Sequence, residues 1–261
     1  MASLQGRHAL VTGGGRGIGR AIAAALIQAG AAVTIAGRNE KSLADVVGHG
    51  EASGYVIADV TDATAVDGGV KQAVAARGPV DLLIANAGGA ESAPFSRTTP
   101  DQFREMFELN VMGVVHATRA VLDSMRERRN GRIVAIASTA GVKGYGYVSA
   151  YCAAKHAVVG LVRSLAVETA ASGVTVNAVC PGYTDTELVR ESLAKISAKT
   201  GRSREDALGS LLKATPLGRL VKPQEIAAAV LYLCSPEASA VTAVWPLWRS
   251  YAVCISSIVS K

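Results

Sequence analysis

Over its first 180 residues the chain alternates short apolar runs with segments of helical character, and this most constrains what it can fold into. The runs are residues 8–13, 32–37, 54–60, 80–88, 131–138 and 175–182. Each has the length of a strand and is apolar almost throughout, the pattern of strands covered on both faces. Helix-like stretches lie between them at 18–29, 63–76, 101–128 and 149–170. Short connections between alternating elements imply right-handed βαβ units and one parallel sheet. The expected fold class is α/β, a single doubly wound parallel sheet (Rossmann-type) with helices on both faces. No repeat or linker divides the chain, so residues 1–261 are expected to form one domain, large enough to bury a core without disulfides.

Composition removes several function classes. With 49% hydrophobic residues and a net charge of +6, the chain is not a disordered segment. No run approaches about 18 uninterrupted apolar residues, so no membrane span is expected. The opening Met-Ala-Ser-Leu-Gln-Gly-Arg-His has no apolar stretch, and no signal peptide is expected. Cys152, Cys180, Cys234 and Cys254 form no Cys-x-x-Cys pair, and the four histidines lack metal-ligand spacing. Free thiols, no metal and a cytoplasmic location are the expectation. The isoelectric point near 9.3 comes without a dense Lys/Arg block interleaved with aromatics, so no nucleic-acid partner is expected. A basic surface suits phosphate-bearing small molecules instead.

Thr12-Gly-Gly-Gly-Arg-Gly-Ile-Gly19 ends the first strand and opens the first helix. Glycines allow a tight turn and close backbone approach to a pyrophosphate, which then rests on the helix N-terminus. A strand before, a helix after and an enclosing βαβ unit are the context that such a turn requires. After the second strand, an Asp or Glu would bind the ribose 2′-hydroxyl of NAD, whereas an Arg accommodates the 2′-phosphate of NADP. The chain reads Gly37-Arg38-Asn39, with no carboxylate until Glu40. Arg38, helped by Arg16, favours NADP(H) over NAD(H).

Ser138 closes the fifth strand, and Tyr151-Cys-Ala-Ala-Lys155 follows on a helix. Residues four apart share a helix face, so phenol and ammonium point into one cleft. The turn 12–19, Asn86-Ala87-Gly88, Asn110, Ser138, Tyr151-x-x-x-Lys155 and Pro181-Gly182 occur in that order. Together they resemble the short-chain dehydrogenase/reductase family, from about residue 4 to about 241. The resemblance implies a catalytic set of Asn110, Ser138, Tyr151 and Lys155, with Asn110 holding a proton-relay water. It implies cofactor contacts from Gly13, Arg16, Gly17, Ile18 and Gly19 in the turn and from Arg38. Asp59 and Val60 are expected at the adenine, with Asn86, Ala87 and Gly88 beneath the cofactor. Tyr151 and Lys155 also face the cofactor, with Lys155 at the nicotinamide ribose, and Pro181, Gly182, Thr184 and Thr186 lie near the nicotinamide end.

The chemistry agrees with that set. A carbonyl accepting hydride develops oxyanion character and needs a proton donor within hydrogen-bond reach, here Tyr151. Bringing a tyrosine from about 10 to near 7 takes about 4 kcal/mol of preference for phenolate. One ammonium at about 4–5 Å supplies roughly 3–4 kcal/mol at an effective dielectric near 20, so Lys155 is expected to lower the tyrosine pKa. Ser138 would hold the substrate oxygen near the phenol. Tyr145, Tyr147, Cys152 and His156 lie close in sequence but receive no role.

Residues 185–215 are polar and helical, and they follow the carboxyl end of the last strand, where ligands bind in open α/β sheets. They are a candidate lid. Residues 242–261 depart from the family, which usually ends in an Asp-Gly-Gly-type turn. No glycine follows Gly218, although 27 in 218 residues would give about five more, and both tryptophans, Trp245 and Trp248, lie here. A shifted reading frame explains such a tail; resequencing the coding DNA without finding a glycine-rich ending in either other frame would refute it. Pro246 and the apolar residues around it suit an edge segment or an exposed patch, which bears on assembly.

The expected activity is an NADP(H)-dependent exchange of hydride between nicotinamide and a carbonyl or secondary alcohol, with a small-molecule substrate. Residues 138–180 resemble ketoacyl- and polyketide-type ketoreductases, so a 3-ketoacyl thioester is the expected substrate and a homo-oligomer, tetramer or dimer, the expected assembly. Two rivals stand beside it: an NAD-dependent dehydrogenase of a small or cyclic alcohol or steroid, and a catalytically silent NAD(P)-binding regulator or subunit.

Overall fold

The computed structural model describes residues 3–243 apart from Arg202, Ala214 and Pro216. Six strands form one sheet: β1 (His8–Thr12), β2 (Ala32–Gly37), β3 (Gly54–Ile57), β4 (Leu82–Ala85), β5 (Gly131–Ile136) and β6 (Val174–Val179). Their order is β3-β2-β1-β4-β5-β6 and every pairing is parallel. This is the doubly wound arrangement, with its topological switch between β1 and β4. The expected strands all form, but β3, β4, β5 and β6 stop two or three residues early. There the chain leaves the ladder to build loops at the carboxyl edge.

Strand alternation divides the core into two layers. Ala9 and Val11 of β1, Val33 and Ile35 of β2, and Leu82 and Ile84 of β4 face one side. They meet Ile22 and Leu26 of α1 (Gly17–Gln28), Leu43 and Val46 of α2 (Glu40–Gly48), and Ile226 and Val230 of a late helix, Pro223–Cys234. Leu10, Leu83, Ile133 and Val176 face the other side. There they meet helices α3 (Ala63–Arg77), α5 (Gly113–Glu127) and α6 (Ser149–Thr169). Full burial of each of these Val, Leu and Ile side chains contributes about 1.5–3 kcal/mol before entropy is charged against it.

Two helices go beyond the sequence reading. α2 is short and is capped by Asn39, whose side chain accepts from Ser42 N. The late helix Pro223–Cys234 has proline in its first turn, and the Glu225 carboxylate accepts from Lys222 N at 2.7 Å. Between β6 and that helix lie α7 (Glu187–Thr200) and α8 (Arg204–Lys213), so Pro223–Cys234 is α9.

The stretch expected as one helix over 101–128 is broken. α4 (Pro100–Phe107) passes into a π turn at Glu108–Met112 before α5 begins. Asn110 explains the break, because its Nδ2 donates to the Met106 carbonyl at 3.0 Å. That carbonyl would otherwise serve the Asn110 backbone N–H in a regular helix.

By length and apolarity the segment Ser149–Ser172 would suffice to cross a bilayer, but Val158, Val159, Val162 and Ala166 of α6 belong to the sheet-facing core. Beyond β6, Ala243 N donates to Val176 O at 3.0 Å and Asn177 Nδ2 to Val241 O at 2.8 Å, so the chain runs beside the sheet edge there. Residues 244–261, with Trp245, Pro246 and Trp248, lie outside the described residues.

Candidate active site

The glycine turn sits at the carboxyl end of β1, beside the switch point. Gly13 has φ +66°, and a Cβ there would lie 2.9 Å from Ala87 Cα. At Gly19 a Cβ would lie 2.5 Å from Asn86 Nδ2 and press on the Gly13 carbonyl. The Asn86 amide donates to Thr12 O at 2.9 Å and Gly13 O at 3.1 Å, and the Thr12 hydroxyl accepts from both Asn86 N and Ala87 N at 3.0 Å. Asn86 thus ties the end of β4 to the glycine turn.

α1 begins at Gly17. Its cap, Arg16, is extended and makes no side-chain cap bond, and the first turn carries no acidic residue. Ile18 packs on the core behind it. An α-helix N-terminus presents unpaired N–H groups and partial positive charge, so this end fits a phosphate group. Arg38, exposed just beyond β2, has Nη1 3.5 Å from Asp59 Oδ2. The other Asp59 oxygen accepts from Thr61 N at 3.0 Å and Thr61 Oγ1 at 2.8 Å, and the backbone bond in particular holds this carboxyl below its ordinary value. Val60 is buried and its carbonyl accepts from His116 Nδ1 at 2.9 Å. This glycine cradle, open helix end and pair of cations fit a dinucleotide.

Four polar residues from three places in the fold, the π turn, the end of β5 and α6, converge at the other end of the crevice. Asn110, completely buried, donates from Nδ2 to Gly89 O at 3.0 Å and accepts at Oδ1 from Gly89 N at 3.3 Å. A Cβ on Gly88 would lie 2.7 Å from Asn110 Oδ1 and 3.5 Å from Lys155 Nζ, so only glycine leaves room between them. Lys155 is buried, donates to Ile136 O at 2.9 Å, and lies 5.8 Å from the Tyr151 ring centroid. Ser138 caps the turn Thr139–Gly141, its Oγ accepting from Ala140 N at 3.1 Å, and faces the Tyr151 phenol, which it holds lower than burial alone would.

Charge in this cluster differs from the expectation. Burial pushes the Tyr151 phenol up to about 12, only partly offset by the Ser138 bond. Burial also brings Lys155 down to about 8. The phenol therefore does not titrate near pH 7 in the ligand-free protein, because desolvation is the largest influence on each of the two groups. Tyr151 rests as a neutral phenol, the form that donates a proton.

Pro181 O accepts from Thr139 N at 2.9 Å, fixing the chain after β6 against the Ser138 turn. Thr184 Oγ1 donates to Gly182 O at 3.0 Å, and the buried Thr186 puts Cγ2 3.4 Å from the place a Cβ on Gly17 would take. The residues expected around a dinucleotide therefore meet along one crevice.

Other groups at the site were not assigned from sequence. Cys180 has no exposed surface, and burial pushes its thiol up to about 11 beside Ser138 and Lys155. The Tyr145 hydroxyl bonds Thr139 Oγ1 at 2.8 Å, its ring meets Tyr183 edge-on at 6.1 Å, and Lys143 Nζ lies 4.5 Å over it. Alternation of tyrosine and glycine over 145–147 was the available signal for this wall; Tyr183 carried none. Tyr147 is largely exposed with φ +66°, and its carbonyl accepts from Ala93 N at 2.9 Å. Cys152 is buried, and His156 is exposed on the outer face of α6. Among the described residues no group of three or more His, Cys, Asp or Glu side chains is placed to hold a metal.

The family pattern described as short chain dehydrogenase matches residues 7–197. This chain is a short-chain dehydrogenase/reductase. It is 40% identical over 240 residues to an acetoacetyl-CoA reductase of Rhizobium meliloti (strain 1021), covering 90% of this chain and 94% of the relative. A putative ketoacyl reductase of Streptomyces coelicolor (strain ATCC BAA-471 / A3(2) / M145) is 36% identical over 249 residues, covering 93% and 95%. Among solved structures, a single-substitution variant of actinorhodin polyketide ketoreductase with NADPH superposes with a TM-score of 0.88 at 36% identity, covering 94% of this chain and 96% of that one. The protein is an oxidoreductase of a family that binds a nicotinamide cofactor.

Proposed function

We propose that this short-chain dehydrogenase/reductase reduces a ketone to a secondary alcohol with NADPH, its substrate a 3-ketoacyl thioester. The observation that carries the reading is the neutral Tyr151 phenol, set between Ser138 and the buried Lys155. When bound, the nicotinamide supplies the hydride. Ser138 and Tyr151 orient the substrate carbonyl, and Tyr151 Oη gives its proton to the oxygen as negative charge develops there. Lys155 stabilises the resulting phenolate and would hold the cofactor ribose. Asn110 keeps the loop after β4 in place and serves the proton path that refills Tyr151. In the oxidative direction the same phenol oxygen takes the proton.

Gly13, Gly17, Ile18 and Gly19 would cradle the pyrophosphate, Asp59 and Val60 the adenine, and Asn86, Ala87 and Gly88 the cofactor's underside. Pro181, Gly182, Thr184 and Thr186 would hold the nicotinamide end. Preference for NADPH rests on Arg38 and Arg16 flanking the adenosine ribose where an NAD enzyme needs a carboxylate. The acetoacetyl-CoA reductase supports the substrate class, and the NADPH-bound ketoreductase supports the cofactor. Helices α7 and α8, within 185–215, would act as the lid. Assembly as a homo-oligomer belongs to the same reading, as does a cytoplasmic location, for which the free thiols Cys152, Cys180 and Cys234 speak. Initial rates with acetoacetyl-CoA test it: turnover at least tenfold faster with NADPH than with NADH is expected, and faster turnover with NADH would overturn the cofactor assignment.

A further inference from the structure

The first turns of α7 lie against the glycine turn and present carboxylates to it. Glu187 and Glu191 are four apart and share a helix face. Glu187 Oε2 lies 3.7 Å from the place a Cβ on Gly17 would take, and Glu191 Oε1 lies 3.5 Å from Arg16 Nη1. The intervening cation on α7, Arg190, is paired back to Asp185 at 2.9 Å and does not offset them. Among the described residues Glu191 is the ion-pair partner of Arg16, 175 positions away in sequence.

Arg16 is also one of the two cations that the NADPH reading assigns to the 2′-phosphate, so this inference rests on that reading. A phosphate carries up to about two negative charges and three acceptor oxygens, against one charge on a carboxylate. Bound at Arg16, it competes for the guanidinium and repels Glu191. An adenosine without the 2′-phosphate leaves the Arg16–Glu191 pair in place. We propose that Glu191 is a positioning and specificity residue that latches the α7 lid to the glycine turn through Arg16, and that a 2′-phosphorylated nucleotide releases the latch. Choice of cofactor and freedom of the lid are then set by one exchange of partners.

Two nucleotides that differ only in this phosphate, adenosine 2′,5′-bisphosphate and adenosine 5′-monophosphate, test the latch without any turnover. Calorimetry gives their affinities, and amide hydrogen exchange over Glu187–Thr200 reads the lid. Because the pair is exposed, effects of roughly two- to fivefold are expected. In the parent the bisphosphate should speed α7 exchange by that factor, and the monophosphate should not. Glu191→Gln should show fast exchange in every state, bind the bisphosphate two- to fivefold more tightly, and bind the monophosphate unchanged. Arg16→Gln should also show fast α7 exchange, through loss of the other partner. Equal α7 exchange with both nucleotides, while the bisphosphate still binds more tightly to the parent, would overturn the latch and leave the NADPH reading standing. Equal affinity of the two nucleotides for both parent and Glu191→Gln would overturn both.

Discussion

Replacing Lys155 by methionine separates the cost of burying a charge from its use. Burial lowers this lysine from 10.5 to about 8, so its protonated form is disfavoured in the folded protein. Between pH 8 and 10.5 the unfolded chain holds the proton and the folded chain does not. Stability rises with pH wherever the unfolded state binds more protons, so the penalty is fully present below pH 8 and is relieved above it. Each pH unit within that window corresponds to about 1.4 kcal/mol. From pH 7 to pH 9.5 the parent should therefore gain about 2 kcal/mol relative to Lys155→Met. The hydrogen bond to Ile136 O is absent from the variant at both pH values, and titrations elsewhere cancel in the comparison. Urea unfolding of the cofactor-free proteins at the two pH values measures the gain directly. A stability difference that stays constant within about 0.5 kcal/mol would refute the argument that burial sets this lysine's charge. Ketone reduction by the parent should decline as pH passes about 8, since the neutral amine no longer stabilises a phenolate.

Two further outcomes follow from the same geometry. Gly19→Ala places a methyl against Asn86 Nδ2 and the Gly13 carbonyl, so it should destabilise by about 1–3 kcal/mol and weaken NADPH binding at least tenfold by calorimetry. His8 is buried between Gly78 O at 2.8 Å and Thr34 Oγ1 at 2.9 Å, and burial lowers its pKa. The unfolded chain takes up that proton first as pH falls, so stability should be lost below about pH 6.5, and thermal melts of His8→Gln should show a weaker loss.

The sheet was legible because its strands are apolar on both faces, and the glycine turn because a strand and a helix bracket it. The break at Glu108–Met112 was not, since the local pattern over 101–128 stays helical and only the reach of Asn110 Nδ2 to Met106 O distinguishes a π turn. α2 lacks a long periodic stretch, and α9 lies beyond the strand–helix alternation of the first 180 residues. Motif order named residues that the fold places near one another, but it carried nothing about their electrostatics. The expectation for Tyr151 and Lys155 counted attraction alone and omitted desolvation, which depends on how deeply the fold buries both. Likewise no local signal pairs Arg16 with Glu191, because only the return of α7 over the glycine turn brings them together.

The central claim is that Tyr151 delivers the proton in ketone reduction, and Tyr151→Phe tests it most directly. The measurement is the initial rate of acetoacetyl-CoA reduction by parent and variant at saturating NADPH, with NADPH affinity measured alongside. The variant should lose about 10²–10⁴-fold in kcat while binding NADPH within a few-fold of the parent. A variant that keeps its rate within tenfold would contradict the assignment of Tyr151 as the acid.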